Sequence, residues 1–281
     1  MKMSYYPGCS LTGTAAEYDH SIREVAGLLD IDLEELEDWN CCGASSGHMT
    51  DHQLGIELAA RNLEIARQTG QDLLVPCSAC FQRLKAAQVS TKSSPPTSGQ
   101  ESAQADVQVF HLTRWISRPE ILKTIRESVV RSLSGLKLAC YYGCLSMRPP
   151  AITGAPDYEN PTGLDMIVTA LGAESVRWSH KTECCSGSLS MSRPDIARTL
   201  VNDIIQAARR GGASALVTDC PMCHANLESR QLDLQAADGD ACLPVFFISE
   251  LVAFALAQEV QPKRWKKHLV DPQPVLGELG L

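Results

Sequence analysis

The chain contains two copies of one cysteine pattern, and thiols in such a pattern could bind metal or carry out redox chemistry. In each copy, two adjacent cysteines are followed by 34 residues and then by a Cys-x-x-Cys pair. A single cysteine lies upstream of each doublet, after a tyrosine-containing segment that ends in glycine. The two sets are Cys9, Cys41, Cys42, Cys77 and Cys80, and Cys144, Cys184, Cys185, Cys220 and Cys223. Each set could bring five sulfurs to one point if the intervening chain folds back on itself.

The repeat extends beyond the cysteines. An offset of 143 residues relates the doublets and the Cys-x-x-Cys pairs of the two copies, and Leu84 and Leu227 keep it as well. A constant offset across several elements predicts two domains with the same fold. We place these domains at residues 1–134 and 135–281, with the boundary near residues 132–135.

Short apolar segments that end at cysteines predict parallel strands, and amphipathic segments between them predict helices. Strands are expected at residues 2–6, 73–75, 107–112, 136–142, 215–218 and 245–248, and helices at 15–29, 51–69, 113–130, 164–171 and 194–210. The alternation predicts an α/β fold: two tandem, pseudo-symmetric domains, each a small parallel sheet with flanking helices and cysteines at one edge.

Local signals refine this picture around the cysteines. The Pro7-Gly8 turn is expected to place Cys9 in a loop, and Gly43 to allow positive φ beside the first doublet. A helix is expected to begin at Cys80, and its N-terminal amides would favour thiolates. Residues 88–105 are rich in Ser, Thr, Pro and Gln, so they predict a mobile surface loop.

Composition excludes several classes of protein. A net charge of -8 argues against a nucleic-acid binder, which needs a basic face. The N-terminus has no apolar stretch of signal-peptide length, and no apolar run reaches transmembrane length, so we expect a cytoplasmic protein without a transmembrane segment. In a reducing compartment, the 12 cysteines are better explained as metal ligands or redox catalysts than as disulfides.

Two kinds of metal centre remain open from spacing alone. Zinc takes four ligands, which leaves the fifth cysteine of each set unexplained. A cubane iron–sulfur cluster also needs four thiolates, and the ferredoxin run that usually supplies them is missing. Five thiolates with a doublet favour an iron–sulfur cluster of unusual geometry, and the spacing does not say which.

Four segments resemble the B subunit of heterodisulfide reductase: residues 40–43 (NCCG), 60–63 (ARNL), 159–162 (ENPT) and 181–185 (KTECC). The resemblance covers the chain apart from residues 88–105. It implies two noncubane [4Fe-4S] clusters, one in each cysteine-rich (CCG) domain. It also implies that the two sets of five cysteines are their ligands and that Cys42 and Cys185 are essential for catalysis.

In enzymes of that family, a disulfide binds between the two clusters, and its cleavage leaves each sulfur bound to iron of one cluster. The resemblance implies electron supply from a ferredoxin-like HdrC-type subunit and, behind it, a flavin-containing HdrA-type subunit. No GxGxxG motif follows a predicted strand here, so we expect this chain itself to bind neither flavin nor nicotinamide. The substrate is expected to be a coenzyme heterodisulfide or, in a bacterial sulfur-oxidising complex, sulfur on a lipoate-binding protein. The alternative is an electron-transfer subunit of another oxidoreductase that performs no disulfide chemistry.

One position departs from the family pattern. Ser186-Gly187 follows the second doublet, where the family usually has two glycines. We expect the cluster to be retained there, with a changed hydrogen-bonding or steric environment that could shift its potential.

Other residues that could carry chemistry are better explained as structural. Cys140 and Cys242 are predicted to be a core thiol and a surface thiol. Histidines at positions 111, 180 and 224 could donate protons, but we expect structural hydrogen bonds. Lys181 is predicted to be a solvated charge. The basic segment 263–268 is predicted to dock an acidic partner, with Trp265 as its apolar anchor.

Overall fold

The computed structural model describes residues 1–44, 47–93, 107–238, 242–259 and 265–280. These residues form two lobes with a four-stranded parallel sheet in each.

The first lobe is built on the sheet β2-β1-β3-β4, in which all neighbours are parallel. Its strands are β1 (Lys2–Tyr5), β2 (Asp32–Glu35), β3 (Leu73–Val75) and β4 (Val109–His111). Its helices are α1 (Gly8–Leu11), α2 (Ala16–Leu28), α3 (Gly47–Thr50), α4 (His52–Thr69), α5 (Ser78–Ser93), α6 (Leu112–Ile116) and α7 (Pro119–Ser128).

The second lobe repeats this topology with the sheet β6-β5-β7-β8. Its strands are β5 (Lys137–Cys140), β6 (Glu174–Ser175), β7 (Ala215–Thr218) and β8 (Val245–Phe247). Its helices are α8 (Pro150–Thr153), α9 (Gly163–Ala170), α10 (Pro194–Arg210), α11 (Pro221–Asp238), α12 (Ile248–Leu256) and α13 (Gln273–Gly277), and residues Gly187–Leu189 form a 3₁₀ turn. The predicted α/β fold with two tandem units is confirmed, while the domain boundary near residues 132–135 stays a prediction.

Helix α4 shows how the sequence sets these elements. The Asp51 side chain accepts a hydrogen bond from the Leu54 N–H and so caps the helix, which stops at Gly70 with φ of 67°. The apolar spacing of the segment predicts an inward-facing row, Leu54, Leu58, Leu63 and Ala66. Leu63 and Ala66 are buried, but Leu54 is 42% exposed, so the prediction is wrong for Leu54.

Four local predictions are also wrong. Cys9 lies in the short helix α1 rather than in a loop. Helix α5 begins at Ser78, not at Cys80, and it includes residues 88–93 of the predicted mobile loop; residues 94–106 lie outside the described part. The single helix expected at residues 113–130 is two helices, α6 and α7, because Pro119 disfavours helical geometry at the residue before it.

Buried contacts join the two lobes. Helices α2 and α12 pack together, and the Tyr18 ring stacks on Phe247 at a centroid distance of 4.1 Å. The Tyr18 hydroxyl donates to the Asp219 carbonyl (2.9 Å), and the Ser21 and Ser249 hydroxyls lie 2.7 Å apart. The two lobes therefore share one apolar core rather than meeting through a solvated linker.

Within the described part of the chain, no helix combines the length and apolar character needed to cross a membrane.

Candidate functional site

The first set of cysteines converges beyond the carboxyl ends of β1 and β3. Cys42, Cys77 and Cys80 are buried, whereas Cys9 and Cys41 are exposed. The sulfurs of Cys42 and Cys80 lie 3.2 Å apart, and Cys80 also interacts with Cys77. Cys41 interacts with both Cys42 and Cys9. All five thiols thus belong to one continuous cluster.

The second set has the same arrangement beyond β5 and β7. The sulfurs of Cys185 and Cys223 lie 3.5 Å apart, and those of Cys144 and Cys184 lie 3.9 Å apart. Cys220 interacts with Cys223 and Cys144. The structure therefore brings together both predicted sets of five.

A tyrosine at the end of the first strand of each lobe fixes the cysteine doublet. The Tyr6 hydroxyl donates to the Asn40 carbonyl at 2.7 Å, and the Tyr141 hydroxyl donates to the Glu183 carbonyl at the same distance. Each carbonyl belongs to the residue just before the doublet. Each ring also interacts with four of the five sulfurs of its set. The tyrosines were visible in the sequence, but a constant offset of 143 does not align them because the connection from this strand to the doublet is longer in the second lobe.

Glycine is required where the chain leaves the first strand. Gly8 has φ of 68° and Gly143 has φ of 64°, a region that L side chains rarely adopt. A Cβ at Gly8 would lie 3.0 Å from the Cys80 sulfur, and a Cβ at Gly143 would lie 3.0 Å from the Cys223 sulfur. The absent side chain lets the Cys-x-x-Cys sulfur approach the backbone beside Cys9 and Cys144.

In the first lobe, two side chains of α4 hold the backbone before the doublet. The buried Asn62 accepts from the Asn40 N–H and donates to the Asn40 carbonyl, both at 2.9 Å. Arg61 donates to the Asn40 side-chain oxygen and pairs with the Asp38 carboxylate. These contacts give a physical role to the ARNL segment.

In the second lobe, different residues hold the backbone near the doublet and near Cys144. The buried Asn226 side chain on α11 donates to the Cys185 carbonyl. Lys181 is 9% exposed and its ammonium donates to the Asp165 carboxylate at 2.8 Å, so the prediction of a solvated charge is wrong. The Lys181 carbonyl also accepts from the N–H groups of Tyr142 and Gly143, which joins this ion pair to the turn carrying Cys144.

Ser186 occupies the position of Gly43 in the repeat and adopts the same backbone conformation. Its φ is 62°, and that of Gly43 is 75°. Its N–H donates to the Cys184 sulfur at 3.3 Å, while its hydroxyl is buried without a hydrogen-bond partner among the described residues. A left-handed conformation costs a residue with a Cβ about 1–2 kcal/mol, so the serine is strained where glycine is not.

Hydrogen bonds between neighbouring sulfurs shift the pKa values of several thiols. Hydrogen bonds from Cys41 and Cys80 lower the pKa of Cys42 to about 3, and a hydrogen bond from Cys223 lowers the pKa of Cys220 to about 6. Hydrogen bonds within the sets raise the pKa values of Cys41, Cys80 and Cys223, so each set holds at least one thiolate at neutral pH, the form that binds metal.

The donor sets fit an iron–sulfur cluster in each lobe. All 12 cysteines are free, so no disulfide competes for the ten thiols of the two sets. The glycine turns leave space for sulfur against the backbone, and soft thiolates suit iron–sulfur clusters.

A cavity of about 200 Å³ lies between the lobes. The second lobe contributes Cys144, Cys184, Cys185, Cys220 and Cys223, and the first contributes Ala44, His48, Ser78, Ala79 and Arg83. Ala44 is two residues from Cys42, and Ser78 and Ala79 separate Cys77 from Cys80. The second set therefore lines the cavity directly, and the first lobe lines it with residues that neighbour Cys42, Cys77 and Cys80 in the sequence.

Beneath this cavity, a buried polar chain crosses between the lobes. The Ser78 hydroxyl lies 3.1 Å from His111 Nε2, and His111 Nδ1 lies 3.1 Å from an oxygen of Asp219. Thr113 donates to the same carboxylate oxygen. Ser78 also hydrogen-bonds the Cys220 sulfur, so residues of the first lobe contact a thiol of the second.

The remaining candidates lie elsewhere. Cys140 is buried in β5, and Cys242 is partly exposed. His180 contacts Ser179, and His224 is buried beside Phe247. Trp265 is 8% exposed because it packs against Phe246 and Phe254 of its own chain, so it is not a free docking anchor. Lys263 and Arg264 of the basic segment lie outside the described residues.

Comparisons with known proteins agree with this geometry. The model of the cysteine-rich domain family CCG matches residues 3–85 and 138–228. The 8-methylmenaquinol:fumarate reductase membrane anchor subunit of Wolinella succinogenes is 33% identical over 96% of this chain and 97% of its own. The B subunit of a ferredoxin/F(420)H(2)-dependent CoB-CoM heterodisulfide reductase from Methanosarcina acetivorans is 26% identical over 91% of this chain and 89% of its own.

Among solved structures, a hypothetical protein from Helicobacter pylori superposes with a TM-score of 0.72 at 10% identity. The match covers 96% of this chain and 52% of that one, so this chain spans about half the length of the solved protein. At that identity the likeness shows the fold alone.

The glycine turns can be tested by adding one methyl group. Gly8→Ala and Gly143→Ala each place a Cβ 3.0 Å from a sulfur at a positive φ, so each should lower the bound iron of anoxically purified protein to about half. Gly27→Ala is the control, since a Cβ there meets nothing within 4 Å. Full iron content with unchanged spectra in both variants would contradict this role of the turns.

Ser186 and Gly43 allow a reciprocal test of backbone strain. Ser186→Gly should raise the apparent melting temperature by about 3 °C, since it removes about 1 kcal/mol of strain. Gly43→Ser should lower it, because its Cβ would lie 3.1 Å from Leu58 at a positive φ. Anoxic differential scanning fluorimetry measures both shifts. A lower melting temperature for Ser186→Gly would show instead that the hydroxyl makes a stabilising contact.

Proposed function

The chain belongs to the cysteine-rich CCG domain family, with two tandem copies, and from this we propose that it is the iron–sulfur subunit of an oxidoreductase complex that cleaves or forms a disulfide. The relatives named as the B subunits of heterodisulfide reductases support the coarser part of this proposal. The observation that carries the finer part is the cavity between the lobes, which is lined by the second set of cysteines and by first-lobe residues next to Cys42, Cys77 and Cys80 in the sequence.

We propose one noncubane [4Fe-4S] cluster in each lobe. Cys9, Cys41, Cys42, Cys77 and Cys80 would hold the first, and Cys144, Cys184, Cys185, Cys220 and Cys223 would hold the second. The convergence of five free thiols in each lobe supports this assignment. Bound there, the clusters would supply electrons and sites with affinity for sulfur.

The chain's own residues would orient the disulfide and exclude water. The pocket between the lobes is lined by Ala44 and Ala79 of the first lobe and by Cys144 and Cys185 of the second. Reduction consumes two electrons and two protons, breaks one S–S bond and releases two thiols; formation runs in reverse. Burial of Cys42 and Cys185 supports their role next to the reacting sulfurs.

Arg83 contributes a positively charged side chain to the lining of this pocket. Its guanidinium is half-buried, interacts with Cys42, and forms no ion pair among the described residues. A guanidinium that has no carboxylate partner among the described residues favours a substrate with an anionic group in a partly dry cavity, since a charge-assisted hydrogen bond there is worth about 1.5–3 kcal/mol. We therefore propose an anionic disulfide, or a protein-bound disulfide with an acidic neighbour such as one on a lipoate-binding protein.

The electrons would come from a ferredoxin-like HdrC-type subunit, with a flavin-containing HdrA-type subunit behind it. The names of the relatives as subunits of heterodisulfide reductase support a multisubunit assembly. We also propose a cytoplasmic location, because clusters held by thiolates need a reducing compartment.

A second candidate function is electron transfer without disulfide chemistry. It is favoured by the relative that is 33% identical over nearly its whole length and is named as the membrane anchor of a fumarate reductase. In that case both clusters would pass electrons between partner subunits.

One assay separates the two functions. The chain is isolated anoxically with its partner subunits, reduced, and mixed with candidate disulfides or with fumarate. Disulfide cleavage predicts two thiols released per disulfide, and Cys42→Ser or Cys185→Ser should reduce turnover at least about 100-fold, a loss that matches about 2.7 kcal/mol. Oxidation by fumarate with no thiol released from any disulfide would support the second function and overturn the first.

Arg83 gives a sharper test of the substrate class. Arg83→Gln should raise KM for an anionic disulfide by about 10-fold and leave KM for a neutral disulfide nearly unchanged, because only the anionic one loses a charge-assisted contact. Exposed Arg198→Gln on α10 is the matched control. An equal effect on both disulfides would contradict recognition of the anion by Arg83.

A further inference from the structure

A second group of side chains that could bind a metal ion lies around α11, the helix that follows Cys220 in the second lobe. His224 and Glu228 lie on α11, Glu250 lies on α12, and His268 lies in the C-terminal segment. The side chains of all four are at most 7% exposed. Two carboxylates and two imidazoles in so dry a place need a physical explanation.

Three of these side chains place ligand atoms around one point. The ligand atoms of His224, Glu228 and His268 all lie within 4.8 Å of one another. Glu228 Oε1 lies 3.2 Å from His268 Nδ1 and 3.9 Å from His224 Nε2. Ligands of a tetrahedral zinc ion are about 3.3 Å apart, so small side-chain movements would complete the geometry.

The outer contacts of these side chains are those that metal ligands usually have. His268 Nε2 lies 3.1 Å from Glu250 Oε1, the carboxylate–histidine arrangement that orients a ligating imidazole. The other Glu250 oxygen accepts from the Phe247 N–H, and the second Glu228 oxygen accepts from the Leu269 N–H. His224 has a backbone hydrogen bond to Val245, which leaves Nε2 as its free ring nitrogen.

His224 Nε2 is the atom that the protein alone leaves unsatisfied. It is buried and has no hydrogen-bond partner among the described residues, although it points towards Glu228. A buried polar atom without a partner costs about 1–3 kcal/mol. A cation between His224, Glu228 and His268 would satisfy it.

The charges of the surrounding side chains also favour a bound cation. The carboxylates of Glu228 and Glu250 lie 3.2 Å and 3.1 Å from the two ring nitrogens of His268 in this buried site, so two acidic groups converge here. A divalent cation with neutral imidazoles balances both carboxylates.

We propose that His224, Glu228 and His268 bind a structural Zn²⁺ ion, with Glu250 orienting His268. Two nitrogens and one carboxylate oxygen are typical zinc ligands and leave one position for water. The ion would fasten the C-terminal segment to α11, whose N-terminus carries Cys220 and Cys223. This site contains no cysteine and does not depend on the iron–sulfur assignment.

The test measures zinc directly in the full chain. Protein purified anoxically without a polyhistidine tag from zinc-supplemented cells should contain about one zinc per chain. Zinc K-edge absorption should show only nitrogen and oxygen atoms at about 2.0–2.1 Å from the zinc ion, and no sulfur atom at about 2.3 Å. Zinc bound to sulfur, or less than about one tenth of an equivalent of zinc, would overturn the proposal.

Variants locate the ion. Glu228→Gln and His224→Gln should each lower bound zinc at least about 10-fold, because removal of a ligand weakens binding at least as much as removal of one of its outer-shell partners. His20→Gln, at an exposed histidine on α2, should retain it. Iron and sulfide content shows whether each variant has folded. Unchanged zinc in both ligand variants would contradict the site, and the absorption spectrum of the unmodified chain decides the matter if neither variant folds.

Discussion

The five sulfurs of each lobe can meet only because the turn after the first strand passes in contact with the Cys-x-x-Cys sulfur. Gly8 and Gly143 permit this twice, at positive φ and with a sulfur 3.0 Å from where a Cβ would be. The tyrosines before these turns then fix the doublet by bonding the carbonyl in front of it. The first strand, its turn, the doublet and the Cys-x-x-Cys pair thus hold one another in place. Both lobes have these contacts, whereas the other contacts around the doublets differ between the lobes.

The relative position of the two sets of thiols depends on the contact between the lobes. Asp219, next to Cys220, receives contacts from His111, Thr113 and Tyr18, all from the first lobe. Because these groups are buried, separation of the lobes would expose or orphan each of them. The interface therefore fixes the distance between the two sets of thiols, and the cavity between them is a fixed feature of the fold.

Much of this could be predicted from the sequence, since the cysteine spacing and the offset of 143 residues report repetition directly. The conformation of Gly43 and the ends of α4 also followed from local rules. What failed depended on contacts between distant residues. Lys181 is buried because Asp165 meets it, Trp265 is buried because β8 and α12 receive it, and Asn226 holds a doublet 41 residues away. His224 and His268, 44 positions apart in the sequence, gave no shared signal.

The central claim is that each lobe binds its own iron–sulfur cluster through five thiolates. Iron and acid-labile sulfide analysis of anoxically prepared protein, combined with Mössbauer spectroscopy, tests it most directly. We expect about eight irons and about eight sulfides per chain, in two clusters whose Mössbauer spectra differ from those of cubane ferredoxins. Cysteine-bound zinc, or metal-free protein with these cysteines in disulfides, would contradict it.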